Sequence, residues 1–277
     1  MNKKLLSLYS LKFNPFTPDL PVEALWVPPA LDSFCWRIEQ QLGEGGFALV
    51  MGEPGSGKSA ALRVLCGRLA MQREAKVGVL TRPQAGISDF YRELGDLFGV
   101  SLRPSNRWGS AKALREKWHQ HIDASLCRPV LVIDEAQESA PAVLSELRLL
   151  SSVELDSRSI LTVILSGDSR LKAKLESPEL LPLASRVRSR LRAEPLSAAQ
   201  LADCLGHLLR AAGNPKLMSP PLVQTLCEHA AGNLRLLMNM GDELLAAASQ
   251  REVDRLDEKL YFEVFALDPK PAGKRAA

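Results

Sequence analysis

The feature that most constrains this chain is an octapeptide, Gly52-Glu53-Pro54-Gly55-Ser56-Gly57-Lys58-Ser59. It fits the pattern G-x-x-x-x-G-K-[ST] at every fixed position, follows the apolar run 47–51 and precedes a helical pattern over 59–71. Glycines in such a loop let successive backbone N–H groups face one anion, and the helix N-terminus adds positive potential there. The sequence therefore predicts a strand, a phosphate-binding loop and a helix, with all eight residues of the loop lining a nucleotide site.

Two kinds of side chain complete the predicted site. Lys58 is expected to reach the β- and γ-phosphates of ATP, and the Ser59 hydroxyl is expected to bind Mg²⁺. A second apolar run, 130–133, ends in Asp134 and Glu135, and carboxylates at the point where a parallel strand leaves its sheet lie at the ligand edge of such folds. Asp134 is the predicted Mg²⁺ ligand, directly or through a water. Glu135 is the predicted group that polarises the attacking water, so the expected reaction is hydrolysis of ATP to ADP and phosphate.

The order of apolar patterns predicts an α/β fold followed by a helical part. Strands are expected at 47–51, 77–80, 130–133 and 160–165, and helices at 34–42, 59–71, 87–98, 110–125 and 140–151. Continuous apolar strands that alternate with helices indicate a parallel sheet covered on both faces. From 197 onward only helical patterns remain, at 197–212, 219–230, 234–250 and 255–265. The predicted organisation is an extended proline-rich arm at 1–33, an α/β core at 34–196, a helical domain at 197–268 and a flexible tail at 269–277.

Further polar residues are candidates for contacting the γ-phosphate. Ser166 follows the strand 160–165, where a small polar side chain would reach the γ-phosphate or the attacking water; a plain turn serine is the alternative. Arg235 follows Gly232-Asn233 at the start of a helix and would fold back onto the γ-phosphate, unless it is an ordinary solvated arginine. These two roles are hypotheses from position alone.

An arginine-rich segment at 185–192 alternates Arg with small or apolar residues. Period two predicts one face of an extended segment that carries all four guanidinium groups. In a homo-oligomer one of them would cross to the γ-phosphate of a neighbouring subunit, with Arg186 as the first candidate and Arg190 as the second. The alternative is a solvated basic edge strand that discourages aggregation.

Net charge is only +3, but charge is segregated along the chain. Segment 170–192 holds seven basic and two acidic residues, and segment 103–128 holds six basic and two acidic residues. Segment 131–156 is the reverse, with one basic and six acidic residues. Basic stripes of this kind bind the phosphates of double-stranded DNA without reading the bases, although charge balance within the fold is the alternative. Five scattered cysteines without CxxC spacing, and apolar runs too short for a membrane span, favour a cytoplasmic protein with reduced thiols and no membrane contact.

These motifs together resemble the AAA+ ATPases, in particular the branch of the ExeA-type secretion ATPases and the TniB/TnsC-like ATPases of transposons. The resemblance rests on a lead-in, a Walker A loop, a Walker B strand and a sensor-2 motif, at 11–16, 52–59, 130–137 and 232–235. It implies a P-loop AAA+ core with a helical lid, ATP between them, and a ring or helical filament that places the arginine segment beside the next subunit's nucleotide. Sensor 1 matches most loosely, because Ser166 and Asp168 stand where relatives often carry Gln, Thr or Asn.

The resemblance leaves two functions open. The first is a regulator of DNA transposition that assembles on target DNA with ATP and recruits or activates a transposase, with a target-selection protein as a second candidate partner and hydrolysis driving disassembly. The alternative is an ExeA-like ATPase for secretion-system assembly. Relatives of that kind carry a membrane span and a periplasmic part that this sequence lacks up to Ala277, so the sequence favours transposition. A nucleotide switch without hydrolysis is disfavoured by Glu135.

Overall fold

The computed structural model describes residues 3–103, 105–153 and 158–265. Contacts divide the described part of the chain into two compact units. One unit is formed by residues 27–194, and the other by residues 1–26 together with 195–277. The predicted tail at 269–277 lies outside the described residues.

The unit of residues 27–194 is an α/β unit built around one parallel sheet. In chain order its elements are α2 Pro29–Gln41, β1 Gly46–Gly52, α3 Lys58–Ala70, β2 Ala75–Leu80, α4 Ile87–Phe98, α5 Arg107–Ser125, β3 Arg128–Ile133, α6 Pro141–Ser151, β4 Ser152–Val153, β5 Arg158–Ser159, β6 Thr162–Gly167, α7 Ser169–Leu175, α8 Leu181–Ala184 and β7 Val187–Ala193. The sheet order is β2-β3-β6-β1-β7, and β4 with β5 forms a separate two-stranded antiparallel pair. The parallel sheet flanked by helices confirms the predicted fold class.

Strand register places three chain segments at one edge of this sheet. Met51 of β1 pairs with Gly167 of β6, and Ile133 of β3 pairs with Leu165 of β6. All three strands are parallel, so the loop after β1, the residues after β3 and the end of β6 meet at the carboxyl edge. Their apolar side chains are buried on both faces, as continuous apolar runs require.

Strand β7 lies at the side of the sheet next to β1 and alternates in burial. Val187, Ser189 and Leu191 are buried, and the intervening arginines at 188, 190 and 192 are exposed. The structure differs from the prediction of four guanidinium groups on one extended face, because Arg186 lies before β7, where its backbone N–H closes the turn after α8 by donating to Leu183 O.

Helix α2 begins at Pro29, five residues before the predicted start at 34. Proline is favourable in the first turn of a helix because its missing N–H would have no intrahelical acceptor there. The proline density that predicts extended chain up to residue 33 is therefore compatible with a helix start inside it.

The second unit is helical. Its elements are α1 Lys3–Leu8, a 3₁₀ turn Val22–Ala24, α9 Ala198–Ala212, α10 Pro220–Ala230, α11 Leu234–Gln250 and α12 Glu258–Phe265. Helix α9 begins with a capping box, in which the Ser197 hydroxyl accepts from Gln200 N and the Gln200 side chain accepts from Ser197 N. Of the described helices, none combines the length and hydropathy that a membrane span needs.

The sequence predicts an extended arm at 1–33, but the structure differs at its start. The first described residues form α1, before the first proline. Leu5 and Leu6 of this helix pack on the core of the helical unit, which stabilises so short a helix. The following residues are tied to the same unit: Lys12 N donates to Ala212 O at 2.8 Å, and Asn14 Nδ2 donates to Asp242 Oδ1 at 2.7 Å.

Candidate functional site

The loop between β1 and α3 has a conformation that its glycines make possible. Gly55 and Gly57 have φ angles of +84° and +93°, which residues with a side chain rarely adopt. A Cβ on Gly52 would lie 2.4 Å from Ser56 Oγ and 2.5 Å from Ala193 O. The backbone is therefore curled tightly at the start of α3, as a phosphate-binding loop requires.

Lys58 is buried at the first position of α3, with 6% of its surface exposed. Its ammonium donates to Gly52 O at 2.8 Å and to Glu53 O at 3.2 Å. An ammonium has three donors, and no third acceptor is found within the described residues. The side chain thus folds back over the loop, with one donor available to a phosphate oxygen.

Asp134 joins the ends of three structural elements. Its Oδ2 accepts from the Ser59 hydroxyl at 2.8 Å, and its Oδ1 accepts from the Ser166 hydroxyl at 2.8 Å and from Glu135 N at 2.9 Å. The two predicted metal ligands are therefore in direct contact, although they are 75 residues apart in sequence.

The donor set fits Mg²⁺ and a phosphate group. Hydroxyl and carboxylate oxygens are the ligands that Mg²⁺ prefers, and at Mg–O distances of 2.0–2.1 Å two neighbouring ligands of an octahedral ion stand about 2.9 Å apart. The 2.8 Å separation of Ser59 Oγ and Asp134 Oδ2 matches that spacing. Inside the loop, the buried Ser56 hydroxyl has no hydrogen-bond partner among the described residues.

Glu135 is exposed and stands at the start of a 3₁₀ turn, Ala136–Glu138. Its φ of +51° is uncommon for a residue with a side chain. The Gln137 side-chain amide donates to Glu135 Oε2. The sequence analysis assigns no role to Gln137. Its position two residues after Glu135 is the one sequence feature that could have indicated this contact.

The end of β6 places Ser166 and Asp168 in different contacts. Ser166 is fully buried and its hydroxyl is bonded to Asp134, so the observed contact is to the carboxylate. Asp168 caps α7 by accepting from Arg170 N at 2.9 Å, and its carboxylate also pairs with the Arg170 guanidinium, which reaches Glu138 at 3.0 Å. These bonds to Arg170, with a smaller contribution from the Lys58 ammonium, lower the pKa of Asp168. The sequence predicts no site role for Arg170, because its link to Glu138 joins α7 to the turn after β3 and forms only in the folded chain.

Within the unit of residues 27–194, Arg186 and Arg190 are not gathered with these groups. Arg186 precedes β7 at the amino edge of the sheet, and its guanidinium donates to Pro182 O. At about 3.3 Å per residue the length of β1 separates that edge from the loop by roughly 20 Å. Arg190 is exposed on β7, paired in register with Leu49. Arg235 is an exposed residue in the first turn of α11, in the helical unit.

The sheet order, the curled loop and the Ser59–Asp134 contact define the AAA+ P-loop fold. Residues 38–175 match the family model described as AAA domain. The chain is 32% identical over 211 residues to General secretion pathway protein A of Aeromonas hydrophila, a match that covers 75% of this chain and 38% of that relative. This chain therefore spans less than half the length of that relative. Together these matches support an AAA+ ATPase.

Similar solved structures include two proteins of Aeropyrum pernix. The ORC1 protein in complex with DNA is 18% identical, with a TM-score of 0.69, 91% of this chain covered and 68% of that chain. The ORC2 protein in its ADPNP-ADP complexes is 14% identical, with a TM-score of 0.70, 91% of this chain covered and 70% of that chain. At these identities the likeness shows the fold alone.

Proposed function

We propose that this chain is a Mg²⁺-dependent ATPase that hydrolyses ATP to ADP and phosphate. The observation that carries the proposal is the 2.8 Å contact between Ser59 Oγ and Asp134 Oδ2, which joins the phosphate loop to the strand-end carboxylate. When bound there, Mg²⁺ would neutralise charge that develops on the phosphate oxygens. The loop N–H groups and the Lys58 ammonium bind the phosphates and hold them in position. Glu135 accepts a proton from the water that attacks the γ-phosphorus, while the bond to the β–γ bridging oxygen breaks.

Assembly of several copies would complete the pocket. Arg186 stands at the opposite edge of the sheet from the loop of its own subunit, and this position supports action on a neighbouring subunit. Arg190 is the second candidate, because its exposed guanidinium has no bonded partner within the described residues. Arg235 and Ser166 are retained as sensor candidates, with Ser166 acting through Asp134.

Double-stranded DNA is the proposed partner of the assembled ATP form. The charge on segment 170–192 is partly neutralised, since Arg170, Lys172 and Arg188 form ion pairs with acidic residues. Helix α5 and its flanks are better suited to phosphates, because the charged ends of the side chains of Arg103, Arg115 and Lys117 show neither ion pair nor hydrogen bond within the described residues. Such a surface gives salt-dependent binding without base specificity.

Regulation of DNA transposition, with a transposase as the further partner, remains the finer proposal from the sequence resemblance. Assembly of a secretion complex is the second candidate, and the 32% identity to General secretion pathway protein A favours it. The effect of nucleotide on DNA affinity tests the transposition proposal. ATP should strengthen DNA binding in a transposition regulator, and equal affinity with ATP, with ADP and without nucleotide would remove that proposal.

The experiment begins with nucleotide binding and hydrolysis by the purified chain. Lys58→Ala should abolish ATP binding, and Glu135→Gln should preserve ATP binding while lowering the rate of hydrolysis by about 10²–10⁴-fold to a measurable residual rate and trapping the ATP form on DNA. Lys259→Ala, at a lysine whose side chain is 84% exposed on α12, is the matched control and should leave both unchanged. Full ATP binding by Lys58→Ala would contradict the proposed site. Mobility shifts at several salt concentrations then measure the DNA affinity of each form.

A further inference from the structure

Gln137 is fixed by contacts with two neighbouring elements, although it lies in a short 3₁₀ turn. Only 5% of its surface is exposed. Its backbone carbonyl accepts from Lys174 Nζ at 2.5 Å, which ties the turn to α7. Its side-chain amide packs against Gly167 at the end of β6, where a Cβ would come within 2.5 Å of Gln137 Oε1. The side chain therefore has a fixed place between β6 and the segment that follows β3.

The fixed amide points its donor at the predicted catalytic carboxylate. Gln137 Nε2 donates to Glu135 Oε2. A carboxylate only accepts hydrogen bonds, so the NH₂ of the amide must face it and the carbonyl must face away. In that orientation Gln137 Oε1 is buried with no hydrogen-bond partner among the described residues. An unsatisfied buried acceptor destabilises a fold, so the contact to Glu135 is maintained at a cost to stability.

We propose that Gln137 is a positioning residue that orients the Glu135 carboxylate for proton transfer; this inference rests on the proposed ATPase function. Glu135 is exposed, and an exposed glutamate samples many rotamers unless a partner restrains it. The amide restrains Oε2, while Oε1 has no bonded partner within the described residues. Restricting the carboxylate to one orientation leaves Oε1 to accept the proton of the attacking water.

The decisive variant is Gln137→Met. Methionine has a similar length and fills the space beside Gly167, but it lacks the donor to Glu135 and also removes the unsatisfied carbonyl. If Gln137 acts through Glu135, kcat should fall about tenfold, part of the effect of the general base itself. The KM for ATP, the Kd of the nucleotide and the melting temperature of the nucleotide-free protein should not worsen. A purely structural role predicts wild-type kcat wherever stability is retained.

Two further variants separate the possible outcomes. Gln41→Met changes another buried glutamine of the same unit, which donates to Gly45 O at 3.3 Å and accepts from Ser189 Oγ at 3.1 Å. It should lower stability and leave kcat unchanged. In a Glu135→Gln background, Gln137→Met should cause no further loss of rate, because the residue through which it acts is already absent.

Failure of the inference is distinguishable from failure of the proposed function. If the wild type does not hydrolyse ATP with Mg²⁺, the proposed function is wrong. If the wild type is active and Gln137→Met keeps its kcat, or if the two substitutions reduce the rate independently, Gln137 does not act through Glu135. Gln137→Leu, which also lacks the donor, replaces Gln137→Met should that variant fail to fold. A crystal structure of the nucleotide-free variant gives a readout independent of activity: Glu135 should lose its single side-chain position, and an unchanged Glu135 would overturn the inference.

Discussion

Ser166→Ala tests whether the Ser166 hydroxyl supports Asp134. The Ser166 side chain is fully buried and donates to Asp134 Oδ1 at 2.8 Å. Removing a hydrogen bond to a charged group costs about 1.5–3 kcal/mol of stability. Asp134 is half-buried and keeps its bonds from Ser59 Oγ and Glu135 N, so the lower end, about 1.5 kcal/mol, applies. For a unit of about 170 residues this corresponds to a fall in melting temperature of roughly 3–6 °C.

Urea unfolding of the nucleotide-free protein measures this effect. Ser185→Ala is the matched control, because its exposed hydroxyl donates to the neighbouring Pro182 O at 3.1 Å and should contribute less than about 0.5 kcal/mol. The affinity for Mg²⁺-ATP should also fall several-fold in Ser166→Ala, since Asp134 loses one of the groups that orient it. A free energy of unfolding equal to that of the wild type would refute the idea that Ser166 supports Asp134.

Three other predictions concern stability and thiol reactivity. Bonds from Arg170 lower the pKa of Asp168 in the folded state, so the stability advantage of the wild type over Asp168→Asn should be complete above about pH 4 and shrink as pH falls further; an advantage that does not change between pH 6 and pH 2.5 would contradict this. Burial raises the pKa of Cys204 to about 12, so iodoacetamide at pH 8 should label Cys204 only after unfolding, and rapid labelling of the native protein would show the thiol to be accessible. A Cβ on Gly241 would lie 2.5 Å from Phe16 Cδ1, so Gly241→Ala should destabilise by about 1–3 kcal/mol. Gly43→Ala, where nothing lies within 4 Å of a new Cβ, is its control, and equal thermal shifts for the two would argue against close packing of Phe16.

The strands of the sheet and the longer helices follow closely from apolar periodicity. The helix predicted at 87–98 coincides with α4, and the strand predicted at 130–133 lies within β3. Continuous apolar runs of this kind have few alternatives in a soluble chain. The short elements β4, β5 and α8 were not predicted, because two to four residues carry too little pattern to distinguish them from loops.

The candidate site was also predictable only in part. The fixed positions of the loop, together with Asp134, were predictable because a motif and a strand end each carry a local signal. The roles of Gln137 and Arg170 depend on contacts between β6, α7 and the turn after β3, which only the folded chain brings together. The start of α1 escaped prediction because its stability comes from the packing of Leu5 and Leu6 rather than from local sequence.

Calorimetric titration of ATP into the wild type and into Asp134→Asn, each with Mg²⁺ and with EDTA, tests the central claim most directly. If the phosphate loop and Asp134 hold one Mg²⁺–nucleotide complex, the wild type should bind ATP more tightly with Mg²⁺ than with EDTA. In Asp134→Asn that difference should largely disappear, because Ser59 would lack the carboxylate beside it. Equal ATP affinity in all four titrations would contradict the claim.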